Sequence, residues 1–134
     1  MSRKKKLIVF VLCFAIMASM GMLLACAAYG SVTTVYVTSS NTWQSTNMYG
    51  NKTTGGSTWH LDVSNKTMWS SPTARLVNSN DAVRSNSLTI SANNGVFTGS
   101  LLSSATVGYN YYLSVKPASS QIGNDSITGK VNPD

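Results

Sequence analysis

The chain has 134 residues and a net charge of +6, and most of that charge sits at its start. With Arg3, Lys4, Lys5 and Lys6 set aside, Lys52, Lys66, Arg75, Arg84, Lys116 and Lys130 face Asp62, Asp81, Asp125 and Asp134, a net +2. Six scattered cations do not make the clustered basic face that DNA or RNA requires, which excludes nucleic acid as a partner.

The four leading cations precede an uncharged, largely apolar run over positions 7–28. A cationic flank stays on the cytoplasmic side while the apolar run enters the bilayer, which is the layout of a secretory signal. The membrane is therefore a partner during export, and three fates fit. In the first, Ala25-Cys26-Ala27 supplies the small residues that signal peptidase I needs; residues 1–27 are removed and Ala28 becomes the first residue. In the second, Leu23-Leu24-Ala25-Cys26 is a lipobox, residues 1–25 are the signal and Cys26 carries the lipid. In the third the segment stays as an anchor, since 22 residues at about 1.5 Å each cover the roughly 30 Å hydrocarbon core. Each fate places the remainder outside the cytoplasm, secreted or on the extracellular face of the membrane.

Both cysteines, Cys13 and Cys26, lie in the leader, so the exported part has no pair to join and depends on its core. Half of residues 28–134 are Ser, Thr, Asn or Gly, and the chain has no Glu. Long helices draw on Ala, Leu, Glu, Lys and Gln, whereas Thr, Val, Tyr and Trp suit sheets and Asn, Gly and Ser suit turns, so the exported part reads as all-β.

In chain order, residues 32–38 read as a first strand or a tether, and residues 42–48 as a weak strand with a loop reaching Gly56. Residues 59–63 alternate, with Trp59, Leu61 and Val63 facing inward and His60 and Asp62 outward. A turn is expected at 64–66, with 67–69 pairing back and Pro72 breaking the run. Residues 74–77 form a short strand with Leu76 inside and Arg75 and Val77 opposite, followed by a turn at 78–81. Residues 88–90 and 96–100 are expected to flank a type I′ hairpin at Asn93-Asn94-Gly95. The longest strand spans 109–116: Tyr109, Tyr111, Leu113 and Val115 share the inward face, opposite Asn110, Tyr112, Ser114 and Lys116, and Pro117 ends it. After a polar loop, 127–131 form the last strand and Asn132-Pro133-Asp134 stops it, with Lys116 and Lys130 guarding sheet edges.

Seven to eight short strands after a signal segment predict a small antiparallel β-sandwich or barrel. The expected division is signal at 1–27, a tether with weak strands at 28–56, and a β-sandwich core at 57–134.

The pattern points to no catalytic residues. His60 and Asp62 on one strand face point in parallel, so Asp62 is badly placed to orient His60 for a nucleophile. One His, no cysteine pair beyond the leader and four dispersed aspartates make no metal-ligand set, and no cofactor is expected. Trp43, Tyr49, Trp59, Trp69 and residues 109–112 serve either as core or as a platform on which sugars stack. Tyr112, opposite the inward face, is the candidate surface contact.

Together with the basic leader, Ser57-Thr58-Trp59-His60-Leu61-Asp62-Val63, Ala105-Thr106-Val107-Gly108-Tyr109 and Thr128-Gly129-Lys130-Val131-Asn132-Pro133-Asp134 resemble the small exported proteins of Gram-positive bacteria grouped as a domain family of unknown function. The resemblance implies an extracellular address and no known activity. The expected role is a non-enzymatic exported β module, binding or structural, whose partner is a cell-envelope glycan or protein. The alternative is a secreted bacteriocin-like effector or a component of an export or immunity system.

Overall fold

Alternation of apolar with Ser, Thr and Asn side chains yields eight strands and no helix among the described residues of the computed structural model, which are 30–38, 41–68, 70–118 and 125–134. The readings on Ala25, Cys26, Ala27 and Ala28, on Trp69 and on residues 119–124 lie outside the described residues. The strands are β1 (Thr33–Val37), β2 (Gln44–Asn51), β3 (Thr58–Lys66), β4 (Thr73–Val77), β5 (Leu88–Thr89), β6 (Gly95–Ser100), β7 (Asn110–Lys116) and β8 (Asp125–Pro133). They form two four-stranded antiparallel sheets, in the orders β1-β8-β3-β6 and β2-β7-β4-β5.

Strand β1 pairs with β8, β2 with β7, β3 with β6 and β4 with β5, as if one long hairpin were folded over on itself. The β3–β8 and β4–β7 pairings then complete each sheet. This is the strand order of an eight-stranded jelly-roll sandwich. Every connection except β4 to β5 passes from one sheet to the other. Residues 28–56, expected as a tether with weak strands, supply a strand to each sheet.

The inner faces meet in one core. Val35, Val37, Trp59, Leu61, Val63, Ile127 and Val131 come from the first sheet, and Met48, Ala74, Leu76, Tyr111, Leu113 and Val115 from the second. Each large apolar side chain fully removed from water contributes about 1.5–3 kcal/mol, which lets a chain without disulfides in this region hold together. Tyr111 adds a polar tie: its hydroxyl accepts from the Thr106 N–H at 2.7 Å and donates to the Thr106 carbonyl at 3.0 Å. A Tyr early in a strand, bonded to backbone a few residues upstream, pins a corner of a β-sandwich. Tyr111→Phe should cost about 0.5–1.5 kcal/mol, measured by urea unfolding, because the N–H and carbonyl of the exposed Thr106 exchange this partner for water.

Lys52 and Lys66 are both buried. Burial pulls the pKa of each below the ordinary lysine value, although Asp134 opposes the shift at Lys52. The Lys66 ammonium donates to the Ser70 carbonyl at 2.8 Å, and that of Lys52 to the Gly56 and Asp134 carbonyls. A lysine whose pKa is lower in the folded than in the unfolded chain makes stability rise with pH between the two values. Lys66→Met keeps the length and removes the desolvated charge. It should leave the melting temperature at pH 7 unchanged or higher, and flatten the alkaline rise.

Several expectations are corrected. The turn expected at 64–66 is strand: β3 continues to Lys66 through a bulge between Val63 and Asn65, and the Ser64 hydroxyl donates to the Thr128 carbonyl at 3.2 Å. Absorbing one extra residue preserves the pairing with β8, which the local turn signal did not reveal. Likewise β8 runs on to Pro133, opposite Trp59. Asn93-Asn94-Gly95 makes no type I′ hairpin, because β5 and β6 belong to different sheets. Only Gly95 of the three has positive φ, at 127°, whereas the turn requires positive φ at both central residues. Val77 and Ser114 keep the outer face but are buried there, and Tyr109 is 64% exposed rather than inward. Finally, Lys116 and Lys130 lie on interior strands, so they guard no edge.

Candidate functional site

On the outer face of the β2-β7-β4-β5 sheet the register sets Tyr49 opposite Tyr112, Asn51 opposite Asn110 and Ser45 opposite Ser114. The Tyr49 and Tyr112 rings lie 5.5 Å apart at 42°, a tilted cross-strand aromatic pair. Core packing spends the inward residues Tyr111, Leu113 and Val115, and the two-residue period of β7 leaves Tyr112 on the opposite side, half-buried. Asn51 Nδ2 donates to Asn110 Oδ1 at 3.0 Å. That bond uses one donor and one acceptor, so Asn51 keeps an acceptor and Asn110 a donor for a ligand.

A loop over residues 78–82 forms one wall. Asn78 Oδ1 accepts from the N–H groups of Asn80 at 3.0 Å and Ala82 at 2.9 Å, which fixes the turn. Asp81 adopts φ of 60°, a left-handed conformation that Asp tolerates better than most residues. Its carboxylate accepts from the Ser45 hydroxyl on β2. The loop therefore leaves β4 and reaches across β7 to β2, over Val77 and Ser114, which accounts for their burial. Along this wall runs a cavity of about 430 Å³, lined by Asn51, Asn78, Ser79, Asn80, Gly108, Tyr109, Asn110 and Tyr112. A second of about 240 Å³ shares Asn78, Ser79 and Tyr112 with it and adds Ser45, Thr46 and Asp81. Tyrosine faces beside amide donors and acceptors suit a ligand with apolar ring faces and many hydroxyls.

Of the aromatics considered as a platform, Trp59 is wholly core, whereas Tyr49, Tyr109 and Tyr112 are on this face. Sequence reasoning singled out Tyr112 but missed Tyr49 as its partner, and it missed the amide wall. Their signal was present as Asn-rich turns, but only the pairing of β2 with β7 brings them together.

The opposite sheet carries a second polar cluster. His60 Nδ1 lies 2.9 Å from Thr98 Oγ1, and its Nε2 lies 2.9 Å from Asp134 Oδ2. Asp62, the carboxylate considered for His60, lies instead 3.8 Å from the Lys130 ammonium. Hydroxyl, imidazole and carboxylate thus stand in a row. However, Asp134 also accepts from the Thr58 hydroxyl at 3.0 Å and from Asn132 Nδ2 at 2.8 Å. None of the four cavities that include the two above is lined by His60, Thr98 or Asp134. The row fastens the end of β8 across β3 to β6. Among the described residues no group of three or more His, Cys, Asp or Glu side chains converges to hold a metal ion.

No protein-family model, curated protein or solved structure matches this chain.

Proposed function

We propose that the protein is an exported, non-enzymatic β module that binds a glycan of the cell envelope through the outer face of the β2-β7-β4-β5 sheet. The observation that carries the reading is the groove in which Tyr109 and Tyr112 stand beside the Asn51, Asn78, Asn80 and Asn110 amides, with the Tyr49 ring packed against Tyr112 at its edge. Tyrosine offers a flat apolar face to a pyranose ring, and planar amides can bond neighbouring hydroxyls in pairs. The basic and apolar leader, with its resemblance to small exported Gram-positive proteins, supports an address where such glycans are met.

Isothermal titration of the full chain with neutral gluco-, galacto- and manno-tetraoses tests the reading. At least one should bind, and Tyr112→Ala should weaken it at least tenfold, with a change in stability of about 1 kcal/mol or less for a half-buried side chain. Binding that is unaltered by Tyr112→Ala, or absent for all three sugars, would contradict the reading.

A further inference from the structure

Trp43, just ahead of β2, lies on the same outer face, and two cations converge on its ring. The Arg75 guanidinium carbon is 3.9 Å from the ring centroid and the Lys116 ammonium 5.3 Å, both within cation–π range. Arg75 stands opposite Ser114, and Lys116 opposite Thr73, so β7 and β4 each contribute one charge. Among the described residues neither cation has a carboxylate within 4.0 Å. The Arg75 Nε atom is buried with no hydrogen-bond partner. Burying a guanidinium donor unpaired is costly, and holding two like charges on one ring adds to the cost, so a bound anion would offset both. Arg presents a planar fork of donors that matches a carboxylate or phosphate, and Lys supplies a point charge beside it.

We infer that Arg75, Lys116 and Trp43 form a subsite for an anionic group, the carboxylate or phosphate of an acidic glycan, with the indole supplying a face for the attached ring or carbon chain. The inference rests on the glycan reading for the sugar context. Lys116 is four residues along β7 from Tyr112, about 13 Å at roughly 3.3 Å per residue. An oligosaccharide that reaches both has to pass over the 78–82 loop, which crosses β7 at the buried Ser114, with its neutral rings at the tyrosines and its acidic unit at Arg75. Asp81, bonded to Ser45 between the two ends, disfavours an anion in the middle.

The test uses the full chain and the indole N–H resonance of Trp43, assigned by its loss in Trp43→Phe. Galacturonate and glycerol phosphate are the probes, with galactose and with sodium chloride at matched ionic strength as controls. At least one anionic probe should shift the resonance saturably, and neither control should. Arg75→Gln should weaken that binding at least tenfold and Lys116→Gln severalfold, while Val96→Ala, exposed on the opposite sheet, leaves it unchanged. Tighter binding of galacturonate assigns the anion as a carboxylate, and tighter binding of glycerol phosphate assigns it as a phosphate. No saturable shift, an equal shift with sodium chloride, or undiminished binding in a folded Arg75→Gln variant overturns the inference. Because the monosaccharide arm does not involve Tyr112, it separates failure of this subsite from failure of the glycan reading. If Arg75→Gln does not fold, Lys116→Gln alone decides: unchanged binding in it overturns the inference.

Discussion

Gly129→Ala should leave the protein unfolded or nearly so, with a loss of at least about 3 kcal/mol out of the 5–15 kcal/mol typical of a domain. A methyl group at this position would lie 2.3 Å from the Asp62 carbonyl oxygen and 3.1 Å from the Val63 Cα. Both are backbone atoms of β3, and β8 is held between β1 and β3, with Gly129 opposite Thr33 on one side and Val63 on the other. No side chain can rotate away to make room, so β8 must separate from β3 and break the ladder that joins them. Gly55 is the control, because an added methyl there meets nothing within 4 Å. Gly55→Ala should change stability by no more than about 0.5 kcal/mol, and urea unfolding of the two variants checks the contrast.

Trp59→Ala should cost about 3–5 kcal/mol, the range for removing a large aromatic from a packed core. Trp59, near the start of β3, is fully buried and is the largest of the buried side chains. Its indole rests on Gly99 of the adjacent strand, where an added Cβ would lie 2.3 Å from Trp59 Nε1. That nitrogen is buried with no hydrogen-bond partner, so the residue contributes volume and apolar area rather than a polar contact. Trp59→Phe sacrifices no hydrogen bond and keeps most of the apolar surface, and its cost should be less than half that of Trp59→Ala. An equal cost for both variants, measured by thermal and denaturant unfolding, would mean that the indole makes a contact absent from this structure.

The strands whose side chains alternate cleanly were legible in the sequence. The inward set Trp59, Leu61 and Val63, and the set Tyr111, Leu113 and Val115, are buried as their two-residue period requires. What the sequence concealed is which sheet each strand joins. Asn93-Asn94-Gly95 carries the local chemistry of a hairpin, yet the chain there crosses from β5 in one sheet to β6 in the other, because β6 finds its partner in β3. Local turn chemistry describes a few residues, whereas the choice of partner depends on burying both faces of the whole sandwich. The bulge at Ser64 was hidden for the same reason, since Ser-Asn-Lys reads as a turn unless β8 is alongside to pair with it.

The candidate site was partly legible. Tyr112 followed from the period of β7 alone, and Arg75 from that of β4. Tyr49 shares the face of Trp43 by even spacing, but the register of β2 shifts between Ser45 and Tyr49, so its partner on β7 could not be counted forward from Trp43. The convergence of Arg75 and Lys116 on Trp43 needs β2, β7 and β4 side by side, and no local pattern records that order. His60 shows the same limit: its neighbour in sequence, Asp62, turns to Lys130, and its carboxylate partner is Asp134, 74 residues away.

The most direct measurement of where the protein binds is a heteronuclear NMR titration of the full chain with the tightest-binding tetraose. The account predicts that the perturbed amides cluster at Tyr49, Asn51, residues 78–80, Asn110 and Tyr112 on the outer face of the β2-β7-β4-β5 sheet. Perturbations centred instead on His60, Thr98 and Asp134 of the opposite sheet would contradict it.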